Sequence, residues 1–162
     1  MLAQRDCLDF AARKIDAMAG PVLELGLGNG RTYDHIKQIM PDRDIYVFDR
    51  NVKPFASCRP PKNKIFMGDV TTTLIQAARL LGKTAVLAHY DVATTNEEES
   101  RKLAAQVSPL LHKLMLPDAL VVSSVVMPFR QWSVVSLPAS VKTGRYFIYK
   151  VDGSAVVSPK MI

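Results

Sequence analysis

The sequence contains no apolar run approaching the ~20 residues that span a bilayer. Its opening residues, with Gln4, Arg5, Asp6 and Asp9, lack the shape of a signal peptide. The expectation is a cytoplasmic protein with no membrane contact. Cysteine is scarce: Cys7 and Cys58 stand in no metal-ligand spacing, so reduced thiols are expected rather than disulfides. His35, His89 and His112 are too scattered to suggest a zinc site, and no metal is expected. Repeats, low-complexity stretches and linkers are missing as well. The 162 residues are therefore read as one domain, 1–162, with no room for a separate substrate domain. Basic charge is in excess, at +6, but a dense basic tract is lacking. The nearest approach, Lys53–Lys64, spreads its cations around Pro54, Pro60 and Pro61 with Phe55 as its one aromatic. That pattern reads as a solvated loop, and a nucleic-acid partner is left without positive support.

What the sequence does have is Pro21-Val-Leu-Glu-Leu-Gly-Leu-Gly-Asn-Gly30. Val22, Leu23 and Leu25 form an apolar run that stops at Gly26. Beyond Gly30 the spacing turns helical, with Tyr33, Ile36, Ile39 and Met40 on one stripe. A buried parallel strand, a glycine-rich turn and a helix N-terminus make a site where a ligand lies against bare backbone. The dinucleotide fingerprint is G-x-G-x-x-G. Here Arg31 stands where its third glycine would fall.

The pattern around this stretch is that of alternating strands and helices. Residues 4–18 predict an amphipathic helix ended by Gly20 and Pro21. Asp44–Asp49 predicts a second strand, closing on a carboxylate about 20 residues beyond the glycine turn, where an acid can accept both hydroxyls of a ribose. Lys64–Val70 predicts a third strand and Thr71–Leu81 a helix stopped by Gly82. Thr84–Asp91 predicts a fourth strand. Asn96 opens a long helix whose acidic first turn suits the helix dipole. Ala119–Met127, β-branched and uncharged, predicts a fifth strand covered on both faces. Trp132–Leu137 also looks like a strand, but lies too few residues past Met127 to be the next parallel neighbour. The sixth strand is instead assigned to Arg145–Val151, joined through Asp152-Gly153 to Ser154–Ser158 as a hairpin. Pro128–Gly144 is then the crossover.

An acid two positions before the first glycine, followed by Gly26-Leu27-Gly28-Asn29-Gly30, resembles motif I of class I S-adenosylmethionine-dependent methyltransferases, in particular their small single-domain bacterial members. The resemblance runs on through Asp49, Asp69 and Asp91 and covers most of the chain. It implies an α/β three-layer doubly wound sandwich with a seven-stranded, mostly parallel sheet of order 3-2-1-4-5-7-6 and a C-terminal antiparallel hairpin. It also implies S-adenosyl-L-methionine as cofactor. By resemblance, Glu24 organises the turn and the methionine end of the cofactor. Gly26, Gly28 and Gly30 permit close backbone approach, with Leu27 and Asn29 between them. Asp49 holds the ribose, with Arg50 beside it, and Asp69 with Val70 reads the adenine.

The acceptor then approaches the carboxyl end of the fourth strand, near His89, Tyr90 and Asp91. His89 reads equally as a general base or as a structural histidine, and Asp91 as an acceptor contact or a cap of the following turn. The Asn-Pro-Pro-Tyr type of motif that marks methylation of nucleic-acid bases is absent, so the expected acceptor is a small molecule. Two rivals stand beside this reading: a nicotinamide-dependent oxidoreductase, and a non-catalytic cofactor-binding subunit working through a partner. A chain this short has no insertion to build a lid, so a homodimer partner or the Pro128–Gly144 crossover would supply that wall.

Overall fold

Strand β1 (Val22–Leu25) is buried at every position, as a strand covered on both faces must be. A computed structural model, which describes residues 2–52 and 59–153, sets it at the centre of a seven-stranded sheet. Its parallel neighbours are β2 (Ile45–Asp49), β3 (Ile65–Met67), β4 (Ala85–Tyr90) and β5 (Met115–Ser123). Two antiparallel strands, β6 (Trp132–Val135) and β7 (Phe147–Val151), complete the order β3-β2-β1-β4-β5-β7-β6. This is the order expected from the sequence.

Helices cover both faces and define two cores. On one side α1 (Leu2–Lys14) and α2 (Arg31–Ile39) bury Leu8, Ala11 and Ile36 against Val22, Val47 and Val122. On the other, α3 (Val70–Leu81) and α4 (Glu97–His112) bury Leu74, Val107 and Leu111 against Leu23, Leu25 and Phe48. Asp69 caps α3 through Thr71 N, and Asn96 caps α4 through Glu99 N, which leaves Val70 as the first residue of a helix rather than the last of a strand. No helix among the described residues is long and apolar enough to cross a membrane.

The far edge of the sheet departs from the sequence-based assignment. The sixth strand, assigned from the sequence to Arg145–Val151, is instead Trp132–Val135 (β6), and Phe147–Val151 (β7) pairs with it and with β5. The strand expected beyond Asp152-Gly153, Ser154–Ser158, lies outside the described residues. The distance argument holds for a parallel neighbour of β5, which β6 is not, and two facts let the chain enter the sheet at its outer edge instead. First, β5 ends at Ser123, not Met127, because the Ser123 hydroxyl donates to Val125 O (2.6 Å) and turns the chain out of the sheet. Residues 124–131 then reach about 26 Å at ~3.3 Å each. Second, β7 pairs only with Leu120–Ser123, so β6 restarts partway down the sheet, roughly 16 Å away. β6 thus runs in the direction of β5 without pairing to it. The start of β5 was also misplaced: a bulge at Leu116–Asp118, with Asp118 at φ 68°, lets the strand begin at Met115.

Trp132 holds this edge. It is buried against Phe129 and Tyr149 and donates its indole N–H to His112 Nδ1 at 3.1 Å. Trp132→Ala is expected to cost ~3–5 kcal/mol, lowering Tm by about 6–20 °C for a chain of this size. An unchanged thermal melt would mean that β6 is dispensable. Burial, with Lys83 nearby, holds His112 below the ordinary histidine value of 6.5. The folded protein therefore binds fewer protons there than the unfolded chain. Its contribution to stability is complete above pH 6.5 and fades as pH falls below it. Melts between pH 7 and 5 should show this slope, and His112→Gln should reduce it.

Candidate active site at the carboxyl ends of the parallel strands

The turn after β1 is shaped by two close approaches. Gly26 sits at φ 92°, and a Cβ there would lie 2.2 Å from the carbonyl oxygen of Asp91. The chain leaving β4 thus rests directly on this glycine. A Cβ on Gly28, at φ 54°, would meet nothing within 4 Å, so that backbone faces open space. Gly30 is the N-cap of α2.

Asp49, at the end of β2, holds the turn in place. Its Oδ2 accepts from Leu27 N (2.7 Å) and Gly28 N (3.3 Å), and its Oδ1 accepts from Asn51 N (3.0 Å). A carboxylate offers about four acceptor directions, so one remains for a ligand hydroxyl. The acid expected to hold a ribose is therefore also a strut of the glycine turn.

Beyond this turn opens a cavity of about 830 Å³, within the ~300–1,000 Å³ typical of small-ligand sites. Gly26 and Gly28 form one wall and Phe48 to Asn51 another. Gly68 and Val70 follow, and the far wall is the β4–α4 connection, Asp91 to Thr95, with Glu99 and Leu103 of α4. Phe48, Val70, Val92 and Leu103 give it apolar surface; Asp49, Asp91 and Glu99 give it carboxylates. Glu99 accepts from the amide (3.2 Å) and hydroxyl of Thr95, which stiffens that wall.

Six expected site residues do not line the cavity: Leu27 is packed into the core, Asn29 and Gly30 serve the turn and the start of α2, and Asp69, Glu24 and His89 lie elsewhere. Asp69 does not line the cavity: its carboxylate caps α3 through Thr71 N (2.9 Å) and the Thr71 hydroxyl, and pairs with Arg50 at 3.0 Å. The Thr71 hydroxyl, followed by Arg50, holds its pKa down at about 2. Val70 and Arg50 do reach the wall. Glu24 and His89, neighbours in register on β1 and β4, are both fully buried and absent from the lining. His89 Nδ1 lies 2.5 Å from Glu24 Oε1, and Nε2 lies 2.7 Å from the Tyr146 hydroxyl. Burial pushes the Glu24 carboxyl above its ordinary value, opposed by His89. Tyr146 and Gln4 complete this cluster, and neither was legible beforehand. They come from opposite ends of the chain, and no local pattern marks either. Glu99 was visible only as part of an acidic helix start.

The cavity fits S-adenosylmethionine. Gly28 offers a backbone cradle that any side chain would fill, Asp49 stands beside it with acceptor capacity left, and Phe48, Val70 and Leu103 suit a flat ring.

The comparisons agree. A family described as S-adenosyl-L-methionine methyltransferase matches residues 1–151. Among solved structures, an S-adenosyl-L-methionine methyl transferase from Silicibacter pomeroyi DSS-3 is 39% identical over 93% of both chains, with a TM-score of 0.89. The antibiotic-resistance methyltransferase Kmr (12% identical, 88% of this chain and 91% of that one, TM-score 0.55) shares the fold. So does TrmN from Thermus thermophilus (14% identical, 89% of this chain and 48% of that one, TM-score 0.61). No curated protein matches the chain. With that family spanning residues 1–151 and a relative sharing 39% of its residues, the chain belongs to the S-adenosyl-L-methionine methyltransferases and transfers a methyl group from that cofactor to an acceptor.

Proposed function

We propose that the acceptor is a small molecule bound against the β4–α4 wall, Asp91 to Thr95. The carrying observation is the cavity itself: about 830 Å³ accommodates a nucleoside cofactor with a modest acceptor beside it, not a folded macromolecule. Charge supports the same reading. Among the described residues the wall carries Asp49, Asp91 and Glu99 against one cation, Arg50, which is bridged to Asp69. That balance is unfavourable for a polyanion.

The cofactor supplies a methyl group already activated on a sulfonium, so alignment of the acceptor does most of the work, with proximity worth ~7–11 kcal/mol. In this reading Gly26 and Gly28 admit the cofactor to the backbone, and Leu27 and Asn29 complete that turn. Asp49 accepts from the ribose. Phe48 and Val70 bracket the adenine, with Asp69 acting through the cap that fixes Val70 and through Arg50. Asp91 faces the acceptor. His89, buried between Glu24 and Tyr146, supports the site from beneath rather than acting as base. Glu24 serves His89 and the strand under the turn.

S-adenosylmethionine or its demethylated product should raise Tm, with about 2.7 kcal/mol of stabilisation at ~100 Kd, whereas NAD should not. A shift with NAD alone would be incompatible with the assigned cofactor. Asp49→Ala should do two things at once. Losing the acceptor of the turn's amides costs ~1–3 kcal/mol of stability, and cofactor binding weakens by roughly tenfold to a hundredfold. Asp49→Asn should recover more stability than affinity. Wild-type affinity in Asp49→Ala would remove the ribose role. For the acceptor, labelled methyl from the cofactor should enter the small-molecule fraction of a cell extract; label found instead in RNA or protein would overturn this proposal.

A further inference from the structure

Gln4, on the first turn of α1, is the side chain by which that helix reaches the site. Its Nε2 lies 3.1 Å from the Tyr146 hydroxyl, 3.3 Å from His89 Nε2 and 3.4 Å from Asp91 Oδ2. Asp91 lines the cavity. Its backbone is fixed, with Asp91 N donating to Leu25 O at 2.9 Å and its carbonyl seated on Gly26. The direction of its carboxylate is a separate matter, and among the described residues Gln4 is the group that addresses it.

Two arrangements of donors and acceptors satisfy His89, and Gln4 Nε2 donates in both. The Glu24 carboxylate only accepts, so His89 Nδ1 carries a proton. Nε2 accepts from the Tyr146 hydroxyl in the neutral ring and donates to it in the imidazolium, which, against the opposing burial, the Glu24 carboxylate favours. Burial, with Asp91 adding to it, pushes the Tyr146 pKa up, so that hydroxyl keeps its proton. The Tyr146 oxygen in turn accepts from Gln4 Nε2, whose second N–H is left for Asp91. Glu24 and His89 are fully buried and Tyr146 nearly so, and the rings of His89 and Tyr146 lie stacked, 5.9 Å apart and 5° from parallel. Such a chain has little freedom to rearrange.

We infer that Gln4 is a positioning residue: held by the Glu24–His89–Tyr146 chain, it aims the Asp91 carboxylate into the cavity, where that charge favours the cationic methyl donor over its neutral demethylated product. The inference rests on the cavity being the cofactor site. It gives a reason for the N-terminal helix to touch the site at all. Methyl transfer discharges the sulfonium, so a fixed carboxylate beside it binds the donor more tightly than the product and so favours exchange of one for the other.

The test is calorimetric titration of S-adenosylmethionine and S-adenosylhomocysteine into the purified protein. Gln4→Met keeps the length and the packing of the side chain and removes both N–H donors. It should reduce the ratio of donor to product affinity by roughly threefold to tenfold, the scale of one lost charge contact, with Tm near wild type. Asp91→Asn should reduce the ratio at least as much, and adding Gln4→Met to it should change the ratio no further, because residues acting through one another are not additive. Tyr146→Phe, which cuts the chain one link back, should move the ratio in the same direction. A wild-type ratio in Gln4→Met overturns the inference, and so does a Gln4→Met effect that survives unchanged in the Asp91→Asn background. Failure of the wild-type protein to bind either ligand would overturn the reading of the cavity itself, a result distinguishable from both.

Discussion

The contact between Gly26 and the carbonyl of Asp91 is the constraint on which the rest of the site depends. With 2.2 Å between a Cβ there and that oxygen, no other residue fits without moving the chain that leaves β4. The end of β1 and the start of the β4–α4 connection are therefore one unit. Gly26 N donates to Phe48 O at 2.8 Å, and Asp49 gathers Leu27 N and Gly28 N, which adds the end of β2 to the same unit. The cavity is the space these three strand ends leave between them. Its floor is rigid because its backbone is hydrogen-bonded from below and sterically seated from the side.

Beneath that floor lies a polar interior, which is costly. A carboxylate and an imidazole without solvent exposure are tolerable together and not singly. Removing one partner of such a pair typically costs ~3–5 kcal/mol, because the other is left uncompensated. The Glu24–His89 pair joins β1 to β4 at the level where the glycine turn begins. Tyr146 and Gln4 extend it to the β6–β7 connection and to α1. Four parts of the chain remote in sequence are thereby tied to one point under the site. Polar chemistry beneath the cavity goes largely into holding its walls in place.

The two ends of the sheet have different work. At the β1–β4 end every strand terminus contributes to the cavity wall. At the β5–β7–β6 end, Trp132, Phe129 and Tyr149 pack an aromatic cluster, and none of the described residues there lines the cavity. The short connection 124–131 holds no helix, and exposed side chains such as Val134 remain on the outer strand. This end closes the core, while the far wall of the cavity comes from the β4–α4 connection, a segment too short to read as a lid.

The amino-acid sequence determined the strand–turn–helix unit at Pro21–Gly30, the five parallel strands, the helices between them and the position of Asp49, because each leaves a local signature: an apolar run, a glycine at a forced φ, a cap, a spacing. It also carried the family, through the glycine pattern and the acids at successive strand ends. The edge strands were decided by tertiary structure. Whether Trp132–Val135 enters the sheet depends on where β5 ends and on how far β7 overlaps it, and neither distance is written in the local sequence. The same holds for the roles of the acids. Asp69 and Asp49 look alike from the sequence, each closing a strand, yet one turns back to cap a helix and the other ties down the glycine turn. His89, expected at the surface of the site, lies under it because β4 presents alternate residues to opposite faces, and only the packed sheet fixes which face α1 and Tyr146 will cover. Local pattern specifies what a segment forms; which groups meet across ~85–142 residues of chain is settled by the packing of faces, since side chains so far apart in sequence interact only once the sheet has brought them together.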